Sequence, residues 1–296
     1  MKKVSILDIH QFHDHDSAED FYANTLEDHL ITRHKDISLP HAHNFYLAIL
    51  FTHGSGTHEV DFTAYDVKPG ALFFLNPGQT HHWELSPDTK GYIFFHTRAF
   101  YELQYTNGTL GQFPFYYSMH NVPCIYPDVD EAATITSYFK SIFDENHSAG
   151  VFKTQALCSL INLIYIVSAR VYVAQNPGKA ESANPYYAKF RKFEMLLEER
   201  FKKEKSPAAY ASLLAMTAKH LNRITQAVTG KTATDVVLER VLLEAKKEMI
   251  LQRGSLSQIG ESLGYEDYAY FSRLFKNKTG ETPSGFLSRY GKEQPN

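Results

Sequence analysis

LSQIGESLGYEDYAYFSRLFKNKTGETPSGF, residues 256–286, is the stretch that decides the fold of the last part of the chain. A short segment with helical spacing of apolar residues ends at a turn containing Gly264, and a longer one runs from Asp267 to Gly280. Asp is a favoured helix N-cap, and Gly readily takes the left-handed conformation that follows a helix. The stretch therefore predicts a short helix, a tight turn and a longer helix.

The same pattern stands 50 residues earlier, in PAAYASLLAMTAKHLNRITQAVTG, residues 207–230. The aligned positions are Leu221 with Phe271, Arg223 with Arg273, Ile224 with Leu274, and Thr229 with Thr279. A short helix, a turn and a longer helix form the helix-turn-helix motif, whose second helix enters the major groove of DNA. Two tandem copies in matching register predict two recognition helices, 217–230 and 267–280.

The apolar spacing of these two helices separates a core face from an exposed face. The core faces are predicted to hold Leu221 and Ile224 in the first copy, and Phe271, Leu274 and Phe275 in the second. The exposed faces carry the chemistry that base reading needs, because Arg can bind guanine, Asn or Gln can bind adenine, and Tyr or Ala can touch a thymine methyl. The predicted DNA-binding residues are Lys219, Asn222, Arg223, Gln226, Tyr268, Ala269, Ser272, Arg273 and Lys276.

Exposed Lys and Arg side chains on a helix are usually no more than a solvated surface. Arg223 and Arg273 are stronger candidates than the others, because they recur at equivalent positions in both copies. Lys276 and Lys278 are predicted to contact phosphates, which positions a protein on DNA without specifying sequence.

Between the two copies, Asp235–Gln252 is predicted to be one continuous helix, capped by Thr234 or Asp235. At about 1.5 Å per residue this helix would be about 27 Å long. A rigid helix of that length could hold two recognition helices near one DNA turn apart, about 34 Å.

Residues 189–290 resemble the DNA-binding domain of the AraC/XylS family of transcription regulators. The resemblance is carried by Arg240 with the following LLEAKKEMIL, by residues 256–286 and, more loosely, by the first motif. It implies a sequence-specific regulator with a double-stranded DNA operator, and a contact with RNA polymerase if it activates transcription. The family's DNA-contacting positions correspond to Lys219, Asn222 and Arg223, and to Tyr268, Ala269, Ser272 and Arg273.

The earlier part of the chain reads as short strands followed by helices. Runs such as YLAILF (46–51), HEVDF (58–62), ALFFL (71–75) and YIFFH (92–96) are separated by Gly, Pro, Asn and Asp, as in an all-β sandwich or barrel. Asp128–Glu145 and Val151–Gln175 then show helical spacing, and NPGKAESANP (176–185) has the composition of a linker. The predicted fold is α+β with two domains, 1–175 and 189–296, joined by a linker at 176–188.

Charge divides the chain in the same way. Residues 1–175 hold 10 Lys/Arg against 19 Asp/Glu, whereas residues 176–296 hold 20 against 14. Fourteen of the 15 histidines lie in the first part. Parts with such different compositions are expected to have different partners, and the basic part is the candidate for binding nucleic acid.

The strand-rich part resembles the cupin-type ligand-binding domain common in the AraC/XylS family. The resemblance is carried by HAHNFY (41–46), GSGTHEVDF (54–62), VKPGALFFLNPGQTHHW (67–83) and the strand ending at His96. It implies a small-molecule effector, a sugar being one candidate, held in the mouth of a barrel. It also implies that the helices after Pro127 form a homodimer, although their spacing equally fits packing within the domain. The predicted pocket residues are His41, His43, Tyr46, His81 and Trp83.

The histidines leave an enzyme as the alternative function. His41 and His43 would share one face of a strand, and His81 could complete a three-histidine metal site, as in metal-dependent cupin enzymes. The glutamate expected shortly after the second histidine is missing, since Leu47 and Ala48 stand there. We therefore predict no metal, no cofactor and no catalytic residue, with a metal-dependent cupin enzyme fused to a nucleic-acid-binding domain as the alternative.

The expected location is the cytoplasm, because the sequence predicts no signal peptide, no membrane span and no disulfide scaffold. The start of the chain soon turns acidic instead of apolar, so no signal peptide is predicted. The apolar window Ala156–Ala174 is interrupted by Asn162, Ser168 and Arg170, which favours a buried amphipathic helix over a membrane span. The chain has only two cysteines, which argues against a disulfide scaffold.

Overall fold

A computed structural model describes residues 6–12, 20–33, 40–102, 104–105, 110–116, 118, 120–176 and 186–292. The chain divides into two compact units, one holding the described residues up to 176 and the other those from 186 onward. Most of the linker predicted at 176–188 lies outside the described residues. Each unit is described by itself below.

The first unit is built on two five-stranded sheets. Its strands are β1 (Ile6–Leu7), β2 (Phe21–Thr25), β3 (His41–His43), β4 (Tyr46–His53), β5 (Gly56–Val60), β6 (Thr63–Val67), β7 (Leu72–Leu75), β8 (Thr80–Leu85), β9 (Lys90–His96) and β10 (Cys124–Ile125). The sheet orders are β1-β3-β8-β5-β6 and β10-β7-β4-β9-β2, with antiparallel pairing except between β1 and β3. This is the cupin-like β-architecture expected from the sequence, and each of the four quoted runs contains or overlaps a strand.

The sheet that contains β4 is buried on both faces. Leu47, Ile49 and Phe51 pack into the core between the two sheets, whereas Ala48 and Leu50 pack against helices on the other side. Successive side chains of a strand point to opposite faces, so a strand covered on both faces must be apolar throughout. This is why residues 46–51 form an unbroken apolar run.

Four helices belong to this unit: α1 (Leu26–Thr32), α2 (Arg98–Glu102), α3 (Val129–Asn146) and α4 (Lys153–Gln175). The helix α3 starts at a capping box, in which Asp128 accepts a hydrogen bond from the Glu131 backbone and Glu131 accepts one in return. By length and composition α4 could cross a membrane, a test that core helices of soluble proteins also pass. Leu157, Ile161 and Ile164 of α4 are fully or almost fully buried against the sheet and α3, which supports the buried helix predicted from the sequence.

A buried hydrogen-bond chain fastens α4 to the sheet. His96 Nδ1 lies 2.8 Å from the carbonyl oxygen of Thr97, so this nitrogen donates, and His96 Nε2 accepts from the Tyr165 hydroxyl at 2.6 Å. Tyr165 in turn accepts from the Tyr116 hydroxyl at 3.0 Å. Every member of the chain is satisfied, which lets these polar groups remain inside an aromatic core.

The second unit is helical throughout its described residues. Its helices are α5 (Tyr187–Arg200), α6 (Pro207–Leu213), α7 (Ala218–Thr229), α8 (Ala233–Ile250), α9 (Leu256–Ser262), α10 (Tyr268–Thr279) and α11 (Pro283–Lys292). The pairs α6–α7 and α9–α10 are the two predicted helix-turn-helix motifs. Gly264 has φ +83 in the turn of the second motif, a left-handed conformation that favours glycine.

The connecting helix α8 begins two residues earlier than predicted. Its N-cap is Thr232, whose hydroxyl accepts a hydrogen bond from the Asp235 backbone amide, so the prediction of Thr234 or Asp235 as the cap was wrong. Asp235 lies inside the first turn instead, where a negative charge is favoured by the helix dipole. Several good capping residues in succession made the true start ambiguous from sequence.

Polar side chains on α8 bind neighbouring helices. The Arg240 guanidinium donates to both carboxylate oxygens of Glu198 in α5, at 2.6 and 2.7 Å, and lies 3.8 Å from the centre of the Phe201 ring. Glu248 accepts a hydrogen bond from Ser262 of α9 at 2.9 Å. Both Arg240 and Glu248 are buried, so these contacts hold α5 and α9 on α8.

Gly91 allows the central strands of the first unit to approach each other. A Cβ atom at this position in β9 would overlap the carbonyl oxygen of Leu50 in β4, which is backbone and cannot turn away. We expect Gly91→Ala to lower the free energy of unfolding by about 3 kcal/mol, the upper range for overpacking. Urea unfolding followed by fluorescence of Trp83, the single tryptophan, measures the change.

Gly150→Ala is the matched control. Its added Cβ would meet nothing closer than 3.5 Å, and Gly150 does not have a positive φ. We expect a change of less than about 0.5 kcal/mol, as for ordinary surface substitutions. Equal unfolding midpoints for the two variants would contradict the account of the β4–β9 contact.

Candidate nucleic-acid interface and sensor site

The helix α7 presents one buried face and one exposed face. The Thr217 hydroxyl accepts a hydrogen bond from the His220 backbone amide and so caps its start, and Gly230 ends it with φ +71. Leu221 and Ile224 are completely buried, as predicted. The four residues of α7 predicted to bind DNA are all exposed, namely Lys219, Asn222, Arg223 and Gln226.

Two of these exposed side chains already have partners in the protein. The Asn222 side-chain oxygen accepts a hydrogen bond from the Ala233 backbone amide at 3.0 Å, which helps to fix the start of α8. Arg223 Nη2 donates to His220 Nδ1 at 2.8 Å, and the guanidinium lies 5.7 Å from the centre of the Tyr186 ring. The sequence pattern did not reveal these contacts, because they depend on how neighbouring elements fold back onto α7.

The helix α10 has the same design. Asp267 accepts from the backbone amides of Ala269 and Tyr270, and Gly280 ends the helix with φ +87. Phe271 and Phe275 are completely buried, whereas Leu274, expected in the core, is only partly buried. Of the residues predicted to bind DNA, three are exposed and two are half-buried: Ala269, Arg273 and Lys276, and Tyr268 and Ser272.

Lys278, which the sequence predicts to contact a phosphate, is exposed at the end of α10. Its ammonium forms an ion pair with the carboxylate of Asp235 at 2.7 Å. The hydrogen bond from Lys278, with a second from Thr232, holds the pKa of Asp235 below its usual value. The pair joins the end of α10 to the start of α8, so Lys278 has a partner inside the protein.

In the first unit, four buried imidazoles lie together between the sheets. His41 of β3 faces His81 of β8 in the strand register, with ring centres 4.3 Å apart, and the rings of His43 and His81 are 5.2 Å apart. His58 of β5 joins them, since its Nε2 lies 3.0 Å from His81 Nδ1. His58 is not among the predicted pocket residues, because only the pairing of β5 with β8 brings it to this place.

Two nitrogens of this cluster, His43 Nε2 and His58 Nδ1, are buried without a hydrogen-bond partner in the described part of the protein. His43 Nδ1 is engaged, because it lies 2.8 Å from the Phe45 carbonyl oxygen and donates to it. Among the described residues, no group of three or more His, Cys, Asp or Glu side chains is arranged to hold a metal ion.

Burial keeps the imidazoles of His43 and His58 neutral. It lowers the pKa of both His43 and His58 to about 3, with nearby His41 adding to the effect. A neutral imidazole can donate with one nitrogen and accept with the other. His43 and His58 therefore offer hydrogen bonds without charge.

The remaining predicted pocket residues lie in different places. Trp83 is half-buried beside the cluster, with its ring centre 5.1 Å from that of His81. Tyr46 was placed wrongly, because its side chain points to the opposite face of its sheet. There it stacks on His96 and packs against Tyr116. Strand alternation decides this, since Leu47 and not Tyr46 faces the interior between the sheets.

The two helix-turn-helix motifs and the cupin-like β-unit together define a transcription regulator with a DNA-binding domain and a ligand-binding domain. Residues 210–289 match the family model of a helix-turn-helix domain, and residues 30–144 match that of the AraC-like ligand binding domain. The chain belongs to the AraC family of transcription regulators. Because this family consists of regulators and not enzymes, the alternative of a metal-dependent cupin enzyme is set aside.

Two curated relatives align with most of the chain. The HTH-type transcriptional activator RhaS of Mannheimia succiniciproducens is 22% identical over 277 residues, covering 90% of this chain and 96% of that protein. The arabinose operon regulatory protein of Escherichia coli K12 is 22% identical over 252 residues, covering 81% and 80%. A structure of ToxT from Vibrio cholerae aligns with 91% of this chain and 98% of its own, at 12% identity and a TM-score of 0.45.

The buried histidines make the stability of the first unit depend on pH. His43 and His58 are neutral when folded but gain a proton in the unfolded chain below about pH 6.5, so the unfolded state binds more protons. The stabilisation is complete above that pH and is lost as the pH falls toward 3, by about 1.4 kcal/mol per pH unit for each histidine. Urea unfolding at about pH 7.5 and pH 5, followed by Trp83 fluorescence, measures this loss.

His58→Leu should reduce the pH dependence, because it removes one buried titrating group. His53→Gln is the control, since His53 is exposed and its ion pair with Asp88 is exposed as well. If wild type and His58→Leu lose stability equally between the two pH values, His58 does not titrate as its burial requires.

Proposed function

We propose that this protein is a sequence-specific DNA-binding regulator that reads the major groove with α7 and α10 and responds to a small-molecule effector in its β-unit. The observation that supports this most directly is the pair Arg223 and Arg273. Both are exposed, at equivalent positions on two helices that have side-chain N-caps and glycine ends. An arginine in the groove can bind guanine through two hydrogen bonds.

The other predicted residues are proposed to make different kinds of contact with DNA. Gln226 and Ala269 are exposed on the reading faces and suit contacts to adenine and to a thymine methyl. Lys219 and Lys276 are proposed to contact phosphates. Asn222 has its oxygen engaged with Ala233, which leaves only its amide hydrogens for a base or phosphate. Tyr268 and Ser272 are half-buried and would contact DNA with their exposed edges.

The connecting helix α8 supports a defined spacing of the two reading helices. It has 18 residues and so spans about 27 Å. Asn222 of α7 and Lys278 of α10 both bind residues in its first turn, namely Ala233 and Asp235. Reading helices fixed to one rigid helix could address neighbouring major-groove segments of one operator.

The effector is proposed to be an uncharged molecule rich in hydroxyl groups, such as a sugar. Neutral imidazoles with unpartnered nitrogens at His43 and His58 suit hydroxyl donors and acceptors, and the half-buried Trp83 could stack on a sugar ring. One relative is named as the arabinose operon regulatory protein, and another as the transcriptional activator RhaS. Binding would act by changing the relative stability of arrangements that differ in DNA affinity.

The proposed working state is a homodimer in the cytoplasm. The helix α4 leaves Leu163 and Val173 41% and 37% exposed on the side away from the sheet. A second copy covering this face would bury apolar surface, and two copies could bind two half-sites of an operator. If the protein activates transcription, RNA polymerase is a further partner.

Removal of either arginine should weaken specific binding. We expect Arg223→Ala and Arg273→Ala each to cost about 1–3 kcal/mol with the specific operator and much less with random DNA. The operator is first selected from genomic fragments, including the promoters of the gene itself and of its neighbours. Affinities are then compared at one fixed salt concentration, because phosphate contacts are salt-dependent.

Arg200→Ala is the matched control, since Arg200 is an exposed arginine at the end of α5, outside both recognition helices. It should leave specific affinity nearly unchanged. Equal affinity of the wild-type protein for the selected fragments and for random DNA would refute sequence-specific reading.

The effector site has its own test. Sugars and polyols are screened for those that raise the unfolding temperature of the full protein, because a ligand that binds only the folded state stabilises it. For any such ligand, His58→Phe should abolish the shift, whereas His53→Gln should retain it. A shift that survives His58→Phe would place the binding site elsewhere.

A further inference from the structure

The start of α5 contacts the first recognition helix beside its reading face. Lys189 Nζ lies 3.4 Å from His220 Nε2, and the rings of Tyr186 and His220 have centres 5.9 Å apart. On the other side of the same imidazole, Arg223 Nη2 lies 2.8 Å from Nδ1. The imidazole of His220 therefore stands between an ammonium and a guanidinium.

Without DNA, the hydrogen-bond donors and acceptors of Lys189, His220 and Arg223 are not complementary. Arg223 can only donate, so His220 Nδ1 accepts and the imidazole proton lies on Nε2, where it faces the ammonium of Lys189. Two donors then point at each other. In the described part of the protein, none of the three side chains is paired with a carboxylate.

Among the described residues, the charged groups that face His220 are positive. The charged groups that face it are Lys189 from α5 and Arg223 from α7, and Tyr186 adds a phenol ring. Within the described residues, α6 and α8 present no charged group to it. Partial burial, Lys189 and Arg223 together lower the pKa of His220. An anion between Lys189 and His220 would reverse this effect, because a negative charge favours the protonated imidazole.

We propose that Lys189 and His220 clamp a backbone phosphate of DNA beside α7, and that His220 takes up one proton when DNA binds. The proton comes from solvent and is added at Nδ1, so both imidazole nitrogens then donate. Nδ1 can no longer accept from Arg223, and the guanidinium is released toward the base edges. The inference rests on the proposed function, because it assumes that α7 lies in the major groove.

The proposed proton uptake on DNA binding can be assigned to a single residue. His220 is the only histidine among residues 176–296, and the equivalent position of the second motif is Tyr270. Histidine is the side chain whose ordinary pKa lies near neutrality. A dependence of DNA affinity on pH that is removed by changing His220 would therefore identify this imidazole.

The test measures DNA affinity of the full-length protein at about pH 6, 7 and 8, with a labelled duplex of about four helical turns in either the selected or a random sequence. We expect wild type to bind at least about fivefold more tightly at the lowest pH than at the highest, within the limit of tenfold per pH unit for one proton. His220→Asn should lose this dependence. Calorimetry in buffers of different ionisation enthalpy should show proton uptake by wild type only.

The dependence of DNA affinity on salt concentration tests the phosphate contact separately. Lys189→Gln should reduce the slope of log affinity against log salt by about 0.9, the value for one phosphate. Lys203→Gln, an exposed lysine beyond the end of α5, should leave the slope unchanged.

Each failure has a different meaning. If wild type binds no duplex at any pH, the proposed function fails. If wild type binds DNA without taking up a proton, or if His220→Asn keeps the wild-type pH dependence, the proton-linked clamp is wrong. If His220→Asn does not fold, the calorimetry of wild type and the Lys189→Gln salt slope still decide the matter, and an unchanged slope overturns the clamp.

Discussion

The buried guanidinium of Arg240 makes the contacts on which the arrangement of the DNA-binding unit depends. It binds both oxygens of Glu198, also binds Glu244 at 3.0 Å, and lies against the Phe201 ring. The two hydrogen bonds to Glu198 join α8 to α5. The helix α8 carries the first-turn contacts of both motifs and α5 carries Lys189 to α7, so Arg240 joins the two helices that contact the recognition helices.

The fold of the first unit depends on a different constraint, which is a sheet covered on both faces. One face of β4 and its neighbours packs against α3 and α4, and the other closes the interior in which the imidazoles lie. The two histidine environments that result have opposite characters. His96 has both nitrogens satisfied and holds α4 in place, whereas His43 and His58 keep unpartnered nitrogens in the interior. Buried polar groups usually have hydrogen-bond partners, so the unpartnered nitrogens of His43 and His58 support the effector site proposed above.

Much of this could be predicted from local sequence, and the failures have a common origin. The N-caps Thr217 and Asp267, the glycines that end α7 and α10, and the apolar spacing of Leu221 and Phe271 depend on residues within one or two turns. Tyr46 was misjudged and His58 was missed, because each is decided by another segment: the helices covering the sheet, and the pairing of β5 with β8. The ion pair of Lys278 with Asp235 was not predicted either, since 43 residues separate the two.

The sequence by itself determined the tandem motifs, the exposed arginines and the change from strands to helices, since helical periodicity, strand alternation and end-capping are properties of short stretches. Only the tertiary structure decided which polar atoms are already engaged. It brought the Asn222 side chain of α7 to the first residue of α8 and joined Lys278 to Asp235. It also set His220 between Lys189 and Arg223, and gathered four imidazoles from three strands. Hydrogen bonds and ion pairs form between atoms less than about 4 Å apart, and only the folded chain brings distant residues that close.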